Sequence, residues 1–127
     1  METFSLHILS YNIMIPVLPP IRMYGQIERA RQLSKAIRSI QPISAGFDVV
    51  VLNEVIPKKI DKIVNEQMRE LGFLFRTEVL KSMLTQSGGV VVYSKTEIIE
   101  SNFCFFGKHC SGADCLSSKG VVFAKIK

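Results

Sequence analysis

The stretch Phe47-Asp48-Val49-Val50-Val51-Leu52-Asn53-Glu54-Val55 decides how the chain is read. Val49 to Leu52 form an apolar run without period-two alternation, and the run stops at the polar pair Asn53-Glu54. A short apolar run of this kind, rich in β-branched residues, reads as a central strand buried on both faces. A strand buried on both sides needs covering elements, and the flanking sequence supplies them. Upstream, Ile27, Ala30, Leu33, Ile37 and Ile40 recur at steps of three and four, with Glu28, Arg31, Lys35 and Arg38 on other faces. That is an amphipathic helix from Gln26, ended near Pro42. Downstream, Ile60, Ile63, Val64, Gln67 and Leu71 share a face of a second helix, and Gly72 is placed as its left-handed C-cap residue.

Further out, Phe4 to Tyr11 is rich in β-formers and reads as the first strand. Residues 15–25, with Pro16, Pro19, Pro20 and Gly25, form a loop. After the second helix come strands at Phe73–Leu80, Val90–Tyr93, Ile98–Phe106 and Gly120–Ile126. Turns are expected at Gln86-Ser87-Gly88-Gly89 and Lys95-Thr96, and a polar loop at 107–118. The order βαβα followed by four strands gives an α/β (α+β) class. Early crossovers imply parallel pairing and late hairpins antiparallel pairing, so the sheet is mixed, with both helices on one face. Nothing in the chain covers the other face, although several strands are apolar on both sides.

Length and composition narrow the class. With 127 residues, 47% hydrophobic and 21% charged, the chain is a single globular domain's worth of sequence and is not disordered. No run reaches the ~18 apolar residues of a membrane span, and the start carries an acid and no basic region, unlike a signal peptide. Lys and Arg total 16 against 11 acids, a net charge of +5. This suits anionic partners such as phosphate, nucleic acid or a lipid surface, or simply a solvated basic exterior. Cys104, Cys110 and Cys115 lack the paired spacing of a zinc site, and their disulfide state and compartment stay open.

Two strand ends carry candidate chemistry. The first strand ends Ser10-Tyr11-Asn12 and the central one ends Leu52-Asn53-Glu54. Parallel neighbours would set Asn12 beside Glu54 at the carboxyl edge of the sheet, where ligands bind in α/β folds. A carboxylate beside a carboxamide suits a hard cation such as Mg²⁺, which takes oxygen ligands and few protein carboxylates. On spacing alone, a solvated acid at Glu54 and a turn-forming Asn12 compete with this reading. Asp114 and Lys119, on the glycine-bearing segment 110–120, are a second candidate for phosphate or substrate contact, against a plain hydrophilic connection. His7 lies early in its strand and reads as structural, and His109 as solvated. No complete catalytic set is visible.

These residues resemble a known family. Ser10-Tyr11-Asn12 and Asp48 through Val55 resemble the first two motifs of the endonuclease/exonuclease/phosphatase superfamily. Gly25-Gln26-Ile27-Glu28-Arg29-Ala30, Gly88-Gly89-Val90-Val91-Val92-Tyr93-Ser94-Lys95 and Cys110 through Gly120 resemble segments of its bacterial-type neutral sphingomyelinases. The resemblance spans Leu9 to Ile126. It implies half of a four-layer αββα sandwich, with Glu54 as the Mg²⁺ ligand (Mn²⁺ or Co²⁺ could substitute), Asn12 beside the metal, and Asp114 and Lys119 at the rim. It also implies hydrolysis of sphingomyelin to ceramide and phosphocholine, with peripheral contact to a phospholipid membrane surface. The family's later motifs, a Thr-His, an Asp-x-Asn and a terminal Asp-His, do not occur in the sequence. Residues 1–127 are therefore expected to be the N-terminal half of the domain, inactive alone and prone to self-association through an uncovered sheet face. The alternatives are a nuclease or phosphoinositide phosphatase of the same superfamily, or a non-catalytic remnant that binds a membrane or partner.

Overall fold

The computed structural model describes residues 4–13, 25–40, 46–55, 58–79, 86–87, 89–106, 117–118 and 120–127. In chain order the elements are β1 (Ile8–Asn12), α1 (Gln26–Ile40), β2 (Val49–Asn53), α2 (Lys58–Glu70), β3 (Phe75–Arg76) and β4 (Gln86–Ser87). Then come β5 (Val91–Ser94), β6 (Ile98–Phe105), β7 (Ser117–Ser118) and β8 (Gly120–Ile126).

The central run is the hub, as its composition requires. β2 pairs in parallel with β1 and antiparallel with β5, and β3 adds antiparallel to β5, giving the order β1-β2-β5-β3. The sheet is mixed, and both helices lie on one face. Val50 and Leu52 of β2 and Val91 and Tyr93 of β5 join Ala30, Leu33, Ile37, Ile60, Val64 and Met68 in one core. Each buried aliphatic side chain there contributes roughly 1.5–3 kcal/mol of transfer free energy. Met68 completes the buried stripe of α2 in place of Gln67, whose amide oxygen accepts from the Ser34 hydroxyl of α1. Ile40, expected on the buried stripe of α1, is exposed.

Helix α2 closes as its glycine predicts. Gly72 has φ 88°, Phe73 N–H donates to Met68 C=O at 3.0 Å, and Gly72 N–H donates to Arg69 C=O at 3.0 Å. This is the paired six-to-one and five-to-two bonding of a Schellman cap, with Met68 and Phe73 both buried beside it.

The strand boundaries differ from expectation in four places. Phe4–His7 precedes the ladder, because the His7 N–H is taken by the Asp48 carboxylate at 2.8 Å. The strand expected over 73–80 is reduced to Phe75–Arg76. At Thr77 the hydroxyl, not the backbone carbonyl, accepts the Val92 N–H at 3.0 Å, which ends the ladder there. Gln86-Ser87, expected in a turn, pairs in parallel with Ser117-Ser118, at the end of the expected loop. Finally, β6 and β8 form an antiparallel ladder of their own rather than extending the four-stranded sheet.

That hairpin lies near β5, where Val92 and Ser94 of β5 and Val49 of β2 are buried on the face away from the helices. Among the described residues, other apolar side chains remain exposed. Ile8 is 56% exposed, and Val121 and Phe123, on the outer face of the hairpin, are 54% and 52% exposed.

One ionic network ties sheet to helix. Arg76 of β3 grips Asp61 of α2 through both terminal nitrogens, at 2.7 and 3.3 Å, and donates to the Tyr93 hydroxyl at 3.4 Å. Burial pulls the Arg76 guanidinium down, but Asp61 and Tyr93 more than offset it, so its pKa stands above the ordinary value. Burial pushes the Tyr93 phenol up.

Candidate metal-binding site

The parallel register pairs Asn12 with Asn53, so β1 and β2 finish level at the carboxyl edge of the sheet. Glu54 is the next residue. Asn12 Nδ2 donates to Glu54 Oε1 at 2.8 Å, across 42 positions of sequence. The contact is exposed among the described residues, with Glu54 itself partly buried. Among the described residues, Asn12 is the one hydrogen-bond partner of the Glu54 side chain.

The backbone explains why Glu54 points as it does. Leu52 and Val55 are both fully buried, and Val55 N–H is anchored to Gly89 C=O at 2.9 Å. The chain must turn sharply between two buried side chains, and Glu54 takes φ 65° to do so. Among the described residues it is the one non-glycine with positive φ. Holding an L-residue there costs of order 1–2 kcal/mol, and such strain clusters at functional sites.

The other sequence-based candidates divide. His7 sits at the opposite end of β1, five residues before Asn12 and so about 17 Å along the strand. Its carbonyl accepts from Asp48 N–H at 2.9 Å, and its Nδ1 lies buried 3.8 Å from the Asp48 carboxylate without a hydrogen bond. It stitches the starts of β1 and β2 together, as the structural reading expects. Asp114, Lys119, His109, Cys110 and Cys115 lie outside the described residues. Cys104 is an exposed free thiol on β6. Among the described residues no three His, Cys, Asp or Glu side chains gather into a metal cluster. Among the described residues the donor set at the edge is therefore one carboxylate and one carboxamide. That sparse set still fits Mg²⁺, which retains waters and relies on substrate phosphate for much of its shell. The strain at Glu54 was not legible in the sequence; its one trace is the polar pair Asn53-Glu54 set between apolar Leu52 and Val55.

Known proteins resemble this chain over nearly its whole length. The chain is 30% identical over 141 aligned residues to Sphingomyelinase C 2 of Leptospira interrogans, covering 98% of this chain and 22% of that protein. The solved structure of SmcL superposes with a TM-score of 0.80 at 27% identity, over 96% of this chain and 43% of that one. A beta toxin of Staphylococcus aureus with bound magnesium ions superposes with a TM-score of 0.80 at 25% identity, over 98% of this chain and 45% of that one. The chain thus spans less than half the length of these relatives. No family model matches it.

Together the mixed sheet, its one-sided helices and these likenesses define a phosphodiesterase-type fold of the α+β class. Within that class the chain is a bacterial neutral sphingomyelinase-like segment, related over nearly its whole length in both sequence and fold.

Proposed function

We propose that this chain carries the metal-binding half of an endonuclease/exonuclease/phosphatase-type phosphodiesterase site directed at sphingomyelin. The observation that carries the reading is the Asn12–Glu54 contact at the carboxyl edge of adjacent parallel strands, made on a strained backbone. Glu54 would hold Mg²⁺, with Mn²⁺ or Co²⁺ as substitutes, and Asn12 would steer the carboxylate and meet the phosphate. Bound there, the ion supplies Lewis-acid polarisation of a phosphoryl oxygen and neutralises negative charge. The protein's own part is orientation. The Asn12 amide holds one carboxylate oxygen, and the positive-φ turn at Glu54 sets how the side chain leaves the strand end.

Proton transfer is not provided for by the described residues. The one described histidine, His7, is committed to Asp48 at the far end of β1. Asp114 and Lys119 are proposed at the rim by resemblance alone. Residues 1–127 are therefore proposed as the N-terminal half of the full domain, binding metal but not turning over by themselves. Contact with a sphingomyelin-bearing membrane surface belongs to this same proposal.

The test is calorimetric titration of the 127-residue chain with Mg²⁺, beside Glu54→Gln. Saturable binding lost in the variant supports the assignment; equal binding by both sinks it. In parallel, the purified chain is expected to release no phosphocholine from sphingomyelin vesicles. Mg²⁺-dependent release would show that a general base has been missed.

A further inference from the structure

We propose that the lysine-rich start of α2, with Arg31 of α1, forms a basic rim that docks the metal-bearing edge of the sheet onto a leaflet containing anionic glycerophospholipid. The inference rests on the sphingomyelin reading above and deepens it, because the lipid that holds the chain at the surface is then distinct from the lipid that is cleaved.

The chain direction puts these residues at the site. β3 pairs Phe75 with Ser94 and Arg76 with Tyr93, while β5 pairs Ser94 with Val49 and Tyr93 with Val50. β3 thus starts level with the amino end of β2, so α2 runs from the carboxyl edge of the sheet back to the amino edge. Its first residue, Lys58, follows Glu54 by four positions, a separation of at most about 14 Å. Ser34 bonds to Gln67 and Arg38 to Glu70, so α1 and α2 run parallel at an offset of 32 to 33 positions. That offset sets Arg31 level with the second turn of α2.

Lys58, Lys59 and Lys62 fall on the side of α2 opposite the buried Ile60, Val64 and Met68, and all three are exposed, as is Arg31. Among the described residues none of these four cations is in an ion pair. The acid among the lysines, Asp61, is neutralised by Arg76. Glu28, Glu54 and Glu78 are the described acids nearest this edge, and a divalent ion at Glu54 would more than offset its charge. A helix start is a poor place for cations, because the positive end of the macrodipole repels them. Acidic residues stabilise a first turn, yet α2 opens with three lysines in its first five residues, Lys58-Lys59-Ile60-Asp61-Lys62. They weaken the helix where they stand, and a local rule broken in this way is expected where a surface serves a contact.

Charge complementarity selects the occupant. The phosphocholine headgroup of sphingomyelin joins a phosphate to a quaternary ammonium, so it offers a basic rim no net attraction. An anionic glycerophospholipid in the same leaflet does. Each Lys or Arg held near such a surface strengthens binding about fivefold. The leaflet is also broad and flat, which suits cations spread over two parallel helices at one edge of the fold. A nucleic acid is the other extended polyanion; the site reading gives it no role, and it enters the test as a competitor.

The experiment is co-sedimentation of the 127-residue chain with vesicles in EDTA, so that the result does not depend on the metal site. Vesicles of phosphatidylcholine and sphingomyelin are compared with the same vesicles carrying phosphatidylglycerol. Two variants accompany the wild type. The rim variant is Lys58→Gln with Lys59→Gln and Lys62→Gln. The control, Arg69→Gln with Lys125→Gln and Lys127→Gln, removes the same charge from exposed positions elsewhere. The wild type should bind the phosphatidylglycerol vesicles, more weakly as salt rises, and not the others. The rim variant should lose on the order of a hundredfold, at about fivefold per lysine. The control should lose less than about tenfold, since charges farther than a Debye length from the leaflet are screened. The rim variant should melt no lower than the wild type, because the lysines it removes oppose the helix dipole. Equal losses in the two variants, binding indifferent to phosphatidylglycerol, or a rim variant that melts lower would each overturn the proposal. So would a short DNA duplex that binds more tightly than the vesicles and is released by the rim variant. None of these outcomes bears on the Mg²⁺ titration of Glu54→Gln, so the two readings fail separately.

Discussion

Glu54 offers a sign test of the reasoning about the site, because two truncations that remove the same carboxylate should differ in a direction opposite to the usual one. Glu54→Gly and Glu54→Ala both abolish the Asn12 contact, so that loss cancels between them. At ordinary positions Ala is the more stable of the two, because Gly has more freedom to lose on folding, by about 0.4–1 kcal/mol. At φ 65° the Cβ of Ala meets the left-handed penalty of about 1–2 kcal/mol, which Gly escapes. The difference leaves Gly more stable by about 0.5–1 kcal/mol. With a urea m-value near 2 kcal/mol/M, the Cm of Glu54→Gly should exceed that of Glu54→Ala by about 0.3–0.5 M. Urea unfolding followed by far-ultraviolet circular dichroism measures it directly. If Ala equals or exceeds Gly, the backbone at Glu54 is not strained, and the argument that a strained turn sets how the side chain leaves the strand end fails with it.

Other predictions concern the network beneath the sheet. Arg76→Met should cost about 1–2 kcal/mol by denaturant unfolding, since it strands the largely buried Asp61 carboxylate, and adding Asp61→Asn should recover part of that loss. Burial keeps the Tyr93 phenol protonated to higher pH in the folded chain than in the unfolded one. Its contribution is therefore full below about pH 10, the unfolded value, and is lost as pH rises through the folded one. Melting temperature should fall across that alkaline range, and less steeply in Tyr93→Phe.

Much of the fold was legible because its signals are local and periodic. The unbroken Val49–Leu52 run announced a strand buried on both faces, and its flanking helices announced themselves at steps of three and four. Gly72 announced its cap, since only a left-handed residue closes a helix that way. What the sequence hid were substitutions of one hydrogen-bond partner for another. The Thr77 hydroxyl stands in for a carbonyl and shortens β3; the Asp48 carboxylate captures the His7 N–H and delays β1. The pairing of β6 with β8 outside the main sheet was equally hidden, because a strand's own alternation does not say which sheet it joins. At the site, the residue types and their strand-end spacing suggested Asn12 beside Glu54. The contact itself depends on the β1–β2 register, which no single segment encodes.

The proposed divalent-cation site lies at the Asn12–Glu54 edge. Paramagnetic line broadening by Mn²⁺ in the amide spectrum of the 127-residue chain tests it most directly. Sub-stoichiometric Mn²⁺ should bleach the amides of Asn12, Ile13, Asn53, Glu54 and Val55 first and leave those around His7 and Asp48 sharp. Excess Mg²⁺ should reverse the effect, and Glu54→Gln should abolish it. Broadening scattered over the acidic surface, or centred away from Glu54, would contradict the account.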